Sequence, residues 1–199
     1  MLVKCLLLVC LALLQSACAT RSSAPALYDF GPLASNIAPP AQVRLPALKV
    51  ADAQAPAWMD GPLMFYRLGY ANVQQAWPYA TSRWSMSPAQ LLTQRLKTRI
   101  AMEGATVLAS GEGSASMPTL RLDADEFIQI FSSASSSSVQ LSLRASLFQG
   151  NQLIGQKRFE QQVSAPSPDA AGGARALALA SDAAISDILG WLVSLPVSK

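Results

Sequence analysis

The chain has 199 residues, of which 14% are charged and 51% hydrophobic, and its formal net charge is +3. This length suffices for one ordinary domain with a hydrophobic core, and the nearly balanced charge gives no reason to expect a nucleic-acid partner. Histidine is absent from the sequence, which excludes His-based general base catalysis, the Ser-His-Asp arrangement and the commonest metal ligand.

The first 17 residues have the pattern of a signal peptide. Lys4 supplies a positive charge, residues 5–14 form an apolar run, and two small residues precede Cys18. The run is too short to span a bilayer, which takes about 20 apolar residues. The segment resembles the lipobox of bacterial lipoproteins, although Gln15 stands where that motif usually has Leu. We expect a signal peptide at 1–17 and lipidation at Cys18; an ordinary secretory signal is the alternative.

All three cysteines, Cys5, Cys10 and Cys18, lie in this leader or directly after it. A chain that begins at an acylated Cys18 has no free thiol, which excludes disulfides, thiol catalysis and thiolate metal sites. Residues 18–40 are rich in Ser, Ala and Pro, a composition typical of a flexible tether. Residues 41–199 are then expected to form a single α+β domain.

Three strand-like runs open the predicted domain. Residues 43–50 are apolar and β-compatible, and Pro46 favours a position at an edge or a bulge because proline cannot donate to a ladder. Residues 63–68 and 73–77 follow, separated by a connection suited to a hairpin.

A helix is predicted to begin at Pro88. Ser87 can cap the free amides of the first turn, proline is favoured at the first helical position, and Gly104 would end the helix. One face of this helix, predicted to belong to the core, carries Ala89, Leu92, Leu96 and Ile100. Residues 105–109 form a short strand candidate after it.

The clearest pattern in the chain is an alternation of apolar and polar residues over 139–147, which predicts a half-buried strand. In the segments before it (120–130) and after it (153–163), the apolar residues fall on one face of a strand. A Gly150-Asn151 turn lies between the last two strands. Together the three strands are expected to form an antiparallel meander.

From Asp169 to Leu195 the apolar residues repeat at helical spacing, and Pro196 ends the run. This pattern predicts a long C-terminal helix that packs on the sheet. The order of strands, helix, strands and helix predicts the α+β class. We expect a mostly antiparallel sheet with two principal helices packed on one face, and the other face left for partners.

Asp123, Asp125 and Glu126 form a tight acidic cluster. Carboxylates on one strand face could bind a hard cation, but a solvated strand face is the interpretation that we prefer. The sequence predicts no metal, no cofactor and no catalytic residue.

Aromatic side chains suggest a surface for a partner. Phe127 and Phe131 are separated from Asp123 and Asp125 by even numbers of positions, so a regular strand would place all four on the same face. That outer face would change from charged to aromatic along its length. The alternative is that a helix or the serine-rich segment 132–138 covers these rings. The candidate partner surface consists of Phe65, Tyr66, Arg83, Trp84, Phe127 and Phe131.

Four short motifs carry a resemblance to a known family. They are residues 28–32 (Tyr-Asp-Phe-Gly-Pro), 45–46 (Leu-Pro), 64–67 (Met-Phe-Tyr-Arg) and 79–84 (Tyr-Ala-Thr-Ser-Arg-Trp). In this order, after a lipobox, they resemble the auxiliary lipoproteins of ABC-type transport systems, which accompany mammalian-cell-entry-type lipid transporters. The resemblance spans most of the chain after Cys18.

This resemblance implies a non-catalytic lipoprotein, held in the outer membrane through Cys18, whose periplasmic domain docks onto the substrate-binding component of the transporter. Ala19 stands where lipoproteins retained at the inner membrane carry Asp. ATP hydrolysis would belong to another subunit, since the chain has no P-loop motif. A homo-oligomer is compatible with the family by analogy. Two other functions remain open: direct binding of an apolar ligand, and assembly of an envelope complex.

Overall fold

The structure, a computed structural model, describes residues 24–33 and 45–196. The predicted signal peptide, Cys18 and much of the predicted tether lie outside the described residues. The elements in chain order are β1 (Ala26–Tyr28), β2 (Leu48–Val50), a short 3-10 helix (Ala57–Met59), β3 (Leu63–Leu68), β4 (Ala76–Trp84), α1 (Pro88–Met102), β5 (Val107–Ala109), β6 (Pro118–Ser133), β7 (Ser136–Gln149), β8 (Gln152–Ser164) and α2 (Ala170–Val193).

All eight strands belong to one mixed sheet. β6, β7 and β8 form the predicted antiparallel meander. The other edge of β6 pairs in parallel with β2 near its start and with β3 near its end. β5 extends the sheet beyond β2, and β4 followed by β1 extends it beyond β3. The two helices share one core with the sheet, so the α+β prediction with two principal helices is confirmed.

Local capping signals place α1 where the sequence predicts it. The Ser87 hydroxyl accepts from the Gln90 amide at 3.4 Å, and the Gln90 side chain accepts from the Ser87 amide at 3.1 Å, which completes a capping box. Gly104 follows the helix with a φ of +78°, a left-handed conformation that favours glycine and stops the helix. The predicted apolar face is buried; it consists of Ala89, Leu92, Leu96 and Ile100.

α2 is long and apolar enough to cross a membrane by length and composition, but half of its most apolar window is buried within the domain. It packs mainly on β7 and β8, which is the behaviour of a core helix. Five of the six residues predicted for its inner face are buried: Leu177, Ser181, Ala184, Ile188 and Leu192. The sixth, Leu195, lies beyond the end of the helix and is only half-buried.

The predicted boundary between tether and domain lies too late in the chain. Residues 26–28 form β1, which pairs in parallel with the end of β4, and Phe30 is buried in the core. Composition indicated a tether because this segment is rich in Ser, Ala and Pro, but its strand conformation comes from a partner strand more than 50 positions away. The domain therefore begins within the predicted tether of residues 18–40.

The first predicted strand is also placed differently. Only Leu48–Val50 is a strand, and it lies between β5 and β6 rather than at an edge. Pro46 precedes the strand, so it removes no hydrogen bond from the ladder. Residues 43 and 44 lie outside the described residues. The later hairpin is present, but its second strand begins at Ala76 rather than at residue 73.

A β-bulge in β6 overturns the prediction that Phe127 and Phe131 lie on the outer face. The register with β7 shifts between Ala124 and Glu126, and one extra residue moves every later side chain to the opposite face. Phe127 and Phe131 are therefore on the core side, only 3% and 8% exposed. Counting residues in steps of two cannot detect such an insertion.

Candidate docking site

The segment after β1 passes between α1 and α2, and aromatic rings fix it to the sheet. The Phe30 ring lies 6.0 Å from the Trp84 ring and 5.9 Å from the Phe127 ring, measured between centroids. Trp84 and Phe127 are 5.4 Å apart. Because all three rings are buried, this cluster has a structural role.

A buried ion pair joins the two helices to this segment. Arg95 of α1 donates to Asp182 of α2 through Nε to Oδ1 and Nη2 to Oδ2, both at 2.6 Å. Its Nη1 donates to the Gly31 carbonyl oxygen at 2.7 Å. The two side chains are 8% and 13% exposed. One bidentate guanidinium thus fixes three separate parts of the chain relative to each other.

A cleft of about 430 Å³ lies beside this ion pair. β1 and the segment after it form one wall, and α2 forms the other. Two of its lining side chains are large, apolar and exposed: Leu27 at 67% and Leu179 at 60%. Arg175 adds a cationic side chain on the α2 wall. Such a cleft suits a partner segment that carries apolar and acidic side chains.

Three of the six candidate partner residues are core residues and cannot form a docking surface in the folded domain. Trp84 and Phe127 belong to the buried ring cluster. Phe131 packs edge-on against Tyr66, with 5.7 Å between ring centroids. Their burial corrects the prediction that these rings face a partner.

The other three candidates are half-buried and contact residues of this domain. Phe65 packs edge-on against Trp58, with 5.3 Å between centroids, and Tyr66 lies 4.7 Å from the ring of Tyr79. Arg83 donates to the carbonyl oxygen of the preceding residue at 2.8 Å. The structure therefore does not bring the six residues together as one surface.

Sequence reasoning singled out residues 28–32, which line the cleft, but missed its two large exposed apolar residues. Leu27 lies in the predicted tether, and Leu179 lies outside the predicted apolar face of α2. The sequence did contain one signal for this site: Leu179 is a large apolar residue on the side of α2 opposite its buried face. The pairing of Arg95 with Asp182 had no signal in the sequence, since 87 positions separate them.

A polar link crosses the sheet near the start of α2. The Tyr79 hydroxyl donates to Gln129 Oε1 at 2.9 Å, and Gln129 Nε2 donates to the Ser137 hydroxyl at 2.8 Å. Burial raises the pKa of the Tyr79 phenol well above its usual range, and the neighbouring Tyr66 and Asp169 raise it further. The phenol is therefore neutral at physiological pH and serves as a structural donor.

The acidic cluster of β6 is paired with arginines. Asp123 Oδ2 lies 3.4 Å from Arg144 Nε, and Asp125 Oδ1 lies 3.8 Å from Arg144 Nη2. Glu126 Oε1 lies 3.2 Å from Arg67 Nη1. Among residues 24–33 and 45–196, no group of three or more His, Cys, Asp or Glu side chains is placed to hold a metal ion. The arrangement is consistent with a charged, solvated sheet face.

The sequence matches a family model described as the ABC-type transport auxiliary lipoprotein component, over residues 28–188. The chain belongs to this family. The match begins at Tyr28, the last residue of β1, and continues into the second half of α2, so it includes the α2 residues that line the cleft and the opposite wall from Tyr28 onward, but not Leu27. Membership of a lipoprotein family indicates a membrane-anchored protein of the cell envelope.

Two solved structures share the fold of this auxiliary lipoprotein. Protein XCC0632 from Xanthomonas campestris has a TM-score of 0.67 and 17% identity, over 86% of this chain and 92% of that chain. An uncharacterized protein has a TM-score of 0.65 and 18% identity, over 85% of this chain and 99% of that chain. At these identities the likeness shows the fold alone. No curated protein matches the sequence.

Proposed function

We propose that this auxiliary lipoprotein is a non-catalytic component of a mammalian-cell-entry-type lipid transport system, anchored at the periplasmic face of the outer membrane through lipidated Cys18. The observation that carries the proposal is the family match over residues 28–188, which spans nearly all of the described domain. The histidine-free sequence is in keeping with a role in binding rather than catalysis.

The domain would dock onto the substrate-binding partner of the transporter through the cleft between β1 and α2. Leu27 and Leu179 offer apolar contact area, and Arg175 offers a charge for an acidic group of the partner. The lipid anchor would hold the domain at the membrane and raise its local concentration near the partner, so docking does not need high intrinsic affinity.

The space between the sheet and α2 beside Leu48 gives no support for direct binding of a lipid there. The gap between Leu48, Leu147 and Leu192 measures only about 10 Å³, which is about the space of one water molecule. An acyl chain would need far more room than this gap offers.

A Leu179→Lys variant should bind the substrate-binding partner at least about tenfold more weakly, because the substitution places a charge in an apolar contact. The measurement is co-purification of the co-expressed partner, followed by titration of the purified proteins. Val193→Lys is the matched control: this residue is also apolar, exposed and on α2, and it lies about 21 Å farther along the helix. Wild-type affinity in Leu179→Lys, or equal loss in both variants, would contradict docking at the cleft.

A Cys18→Ser variant should not incorporate radiolabelled palmitate, whereas the wild-type chain should. The thiol of Cys18 is the proposed acceptor of the lipid, and a serine hydroxyl does not replace it. Membrane fractions of cells grown with labelled palmitate provide the measurement. Equal labelling of both chains would place the lipid elsewhere and disprove the anchor.

A further inference from the structure

Several stretches of this chain carry no Asp, Glu, Lys or Arg, and three of them are residues 68–82, 127–143 and 161–168. The complete chain has 15 basic and 12 acidic residues, and the first two of these stretches are 15 and 17 residues long. They are far apart in the sequence.

The sheet brings the three stretches together at one end of the domain. Leu68 at the end of β3 pairs with Phe131 near the end of β6. β6 then turns into β7, and Ser138 near the start of β7 pairs with Ser164 at the end of β8. The hairpin tip between β3 and β4, the β6–β7 turn and the end of β8 therefore form one uncharged end of the sheet.

The hairpin tip at this end presents large apolar side chains to solvent. Tyr70, Val73 and Trp77 are 54%, 61% and 44% exposed. The tip is ordered by hydrogen bonds: the Asn72 amide donates to the Leu68 carbonyl oxygen at 2.8 Å, and the Asn72 side chain accepts from the next-but-one amide at 3.0 Å. Tyr70 and Val73 lie in this ordered loop and Trp77 is the second residue of β4, so all three exposed side chains stand at the tip of the β3–β4 hairpin.

The anchored end of the chain leaves the domain toward this hairpin tip. β1 runs parallel to β4, with Ala26 opposite Ser82, so the chain enters β1 from the side on which β4 begins, where Trp77 lies. Cys18 is six positions before Ala24, and a chain spans at most about 3.6 Å per residue. The lipid on Cys18 therefore lies within roughly 20 Å of Ala24.

Asp169 is an exposed carboxylate near this end of the sheet, and its hydrogen bonds are made within the domain. Asp169, the N-cap of α2, follows the third uncharged stretch, and its Oδ1 accepts from the Gly172 amide at 2.7 Å and from the Ser167 hydroxyl at 2.8 Å. An uncharged surface with exposed Trp and Tyr can enter the headgroup region of a bilayer at low desolvation cost, and these two residues are enriched at membrane interfaces.

We propose that the β3–β4 hairpin tip inserts Tyr70, Val73 and Trp77 into the headgroup region of the membrane that holds the lipid anchor. The tip is a second point of membrane contact. A second contact restricts the orientation of the domain on the bilayer more than the anchor alone does. This inference rests on the proposed lipidation of Cys18.

The test uses the full-length acylated protein in vesicles of phosphatidylethanolamine and phosphatidylglycerol. Acylation consumes the one cysteine of the mature chain, so a Gln74→Cys variant can be labelled at the tip alone with an environment-sensitive fluorophore. Asn151→Cys, in the β7–β8 turn at the opposite end of the 14-residue strand β7, is the matched control roughly 45 Å away.

The label at position 74 should shift its emission to the blue and be quenched by lipids that carry a nitroxide in the acyl chain, whereas the label at 151 should show neither effect. Adding Tyr70→Ser and Trp77→Ser should abolish the quenching at 74 while the protein still floats with the vesicles and keeps its circular dichroism spectrum.

No quenching at 74 in protein that floats with the vesicles would overturn insertion of the tip and leave the anchor intact. Quenching at 74 that persists after both serine substitutions would also overturn it. Protein that neither incorporates palmitate nor floats would disprove the anchor, and this inference with it.

Discussion

An Asp182→Ala variant should lose about 3 kcal/mol or more of its free energy of unfolding, because it leaves a buried guanidinium without its counter-charge. Arg95 currently makes two 2.6 Å bonds to this carboxylate in a nearly solvent-free position. The substitution removes both bonds and retains the charge of Arg95. The helices and the segment at Gly31 should separate more easily as a result.

Urea denaturation followed by circular dichroism measures this loss. Glu160→Ala is the matched control, since the Arg158–Glu160 pair is 57% and 66% exposed and an exposed pair contributes at most about 1 kcal/mol. A double variant, Arg95→Met with Asp182→Leu, should recover much of the loss because it removes both charges. Equal effects of Asp182→Ala and Glu160→Ala would show that the buried pair does not stabilise the fold.

Gly172→Ala should also destabilise the domain, by about 2–3 kcal/mol, through steric conflict. A Cβ at position 172 would lie 2.0 Å from the carbonyl oxygen and 2.8 Å from the carbonyl carbon of Ser167. These are backbone atoms, so relief requires movement of the chain that leads into α2. That movement would also disturb the bond from the Gly172 amide to the Asp169 cap.

Gly190→Ala on the same helix provides a control with the opposite sign. No atom lies within 4 Å of a Cβ built at Gly190, so alanine should raise the free energy of unfolding by about 0.5–1 kcal/mol through its higher helix propensity. Thermal unfolding of both variants, compared with wild type, gives the two signs directly. If both substitutions lowered the free energy of unfolding, the loss in Gly172→Ala could not be attributed to the clash with Ser167.

The parts of the fold that depend on local signals could be predicted. Ser87, Pro88 and Gly104 specify both ends of α1 through bonds and conformations within a few residues. The alternation at 139–147 and the spacing along α2 depend in the same way on near neighbours, because a half-buried strand or helix repeats its pattern regularly.

The parts that depend on distant contacts could not be predicted. β1 is a strand because β4 pairs with it, and nothing within residues 26–28 specifies that partner. The bulge between Ala124 and Glu126 is set by the register with β7, and it reverses the predicted positions of Phe127 and Phe131. The cleft could not be predicted either, since it is lined by the ion pair between Arg95 and Asp182, which are 87 positions apart.

The short pairing of β1 with β4 has a mechanical consequence for an anchored protein. With lipid on Cys18 and a partner held at the cleft, tension would enter the domain at Ala24 and pull β1 along its own axis. In that geometry the β1–β4 hydrogen bonds are loaded together in shear rather than opened one after another. The bond from Arg95 to the Gly31 carbonyl oxygen and the packing of Phe30 lie directly behind β1 in the line of force. In such an assembly, a strand of only three residues would transmit the load between membrane and partner.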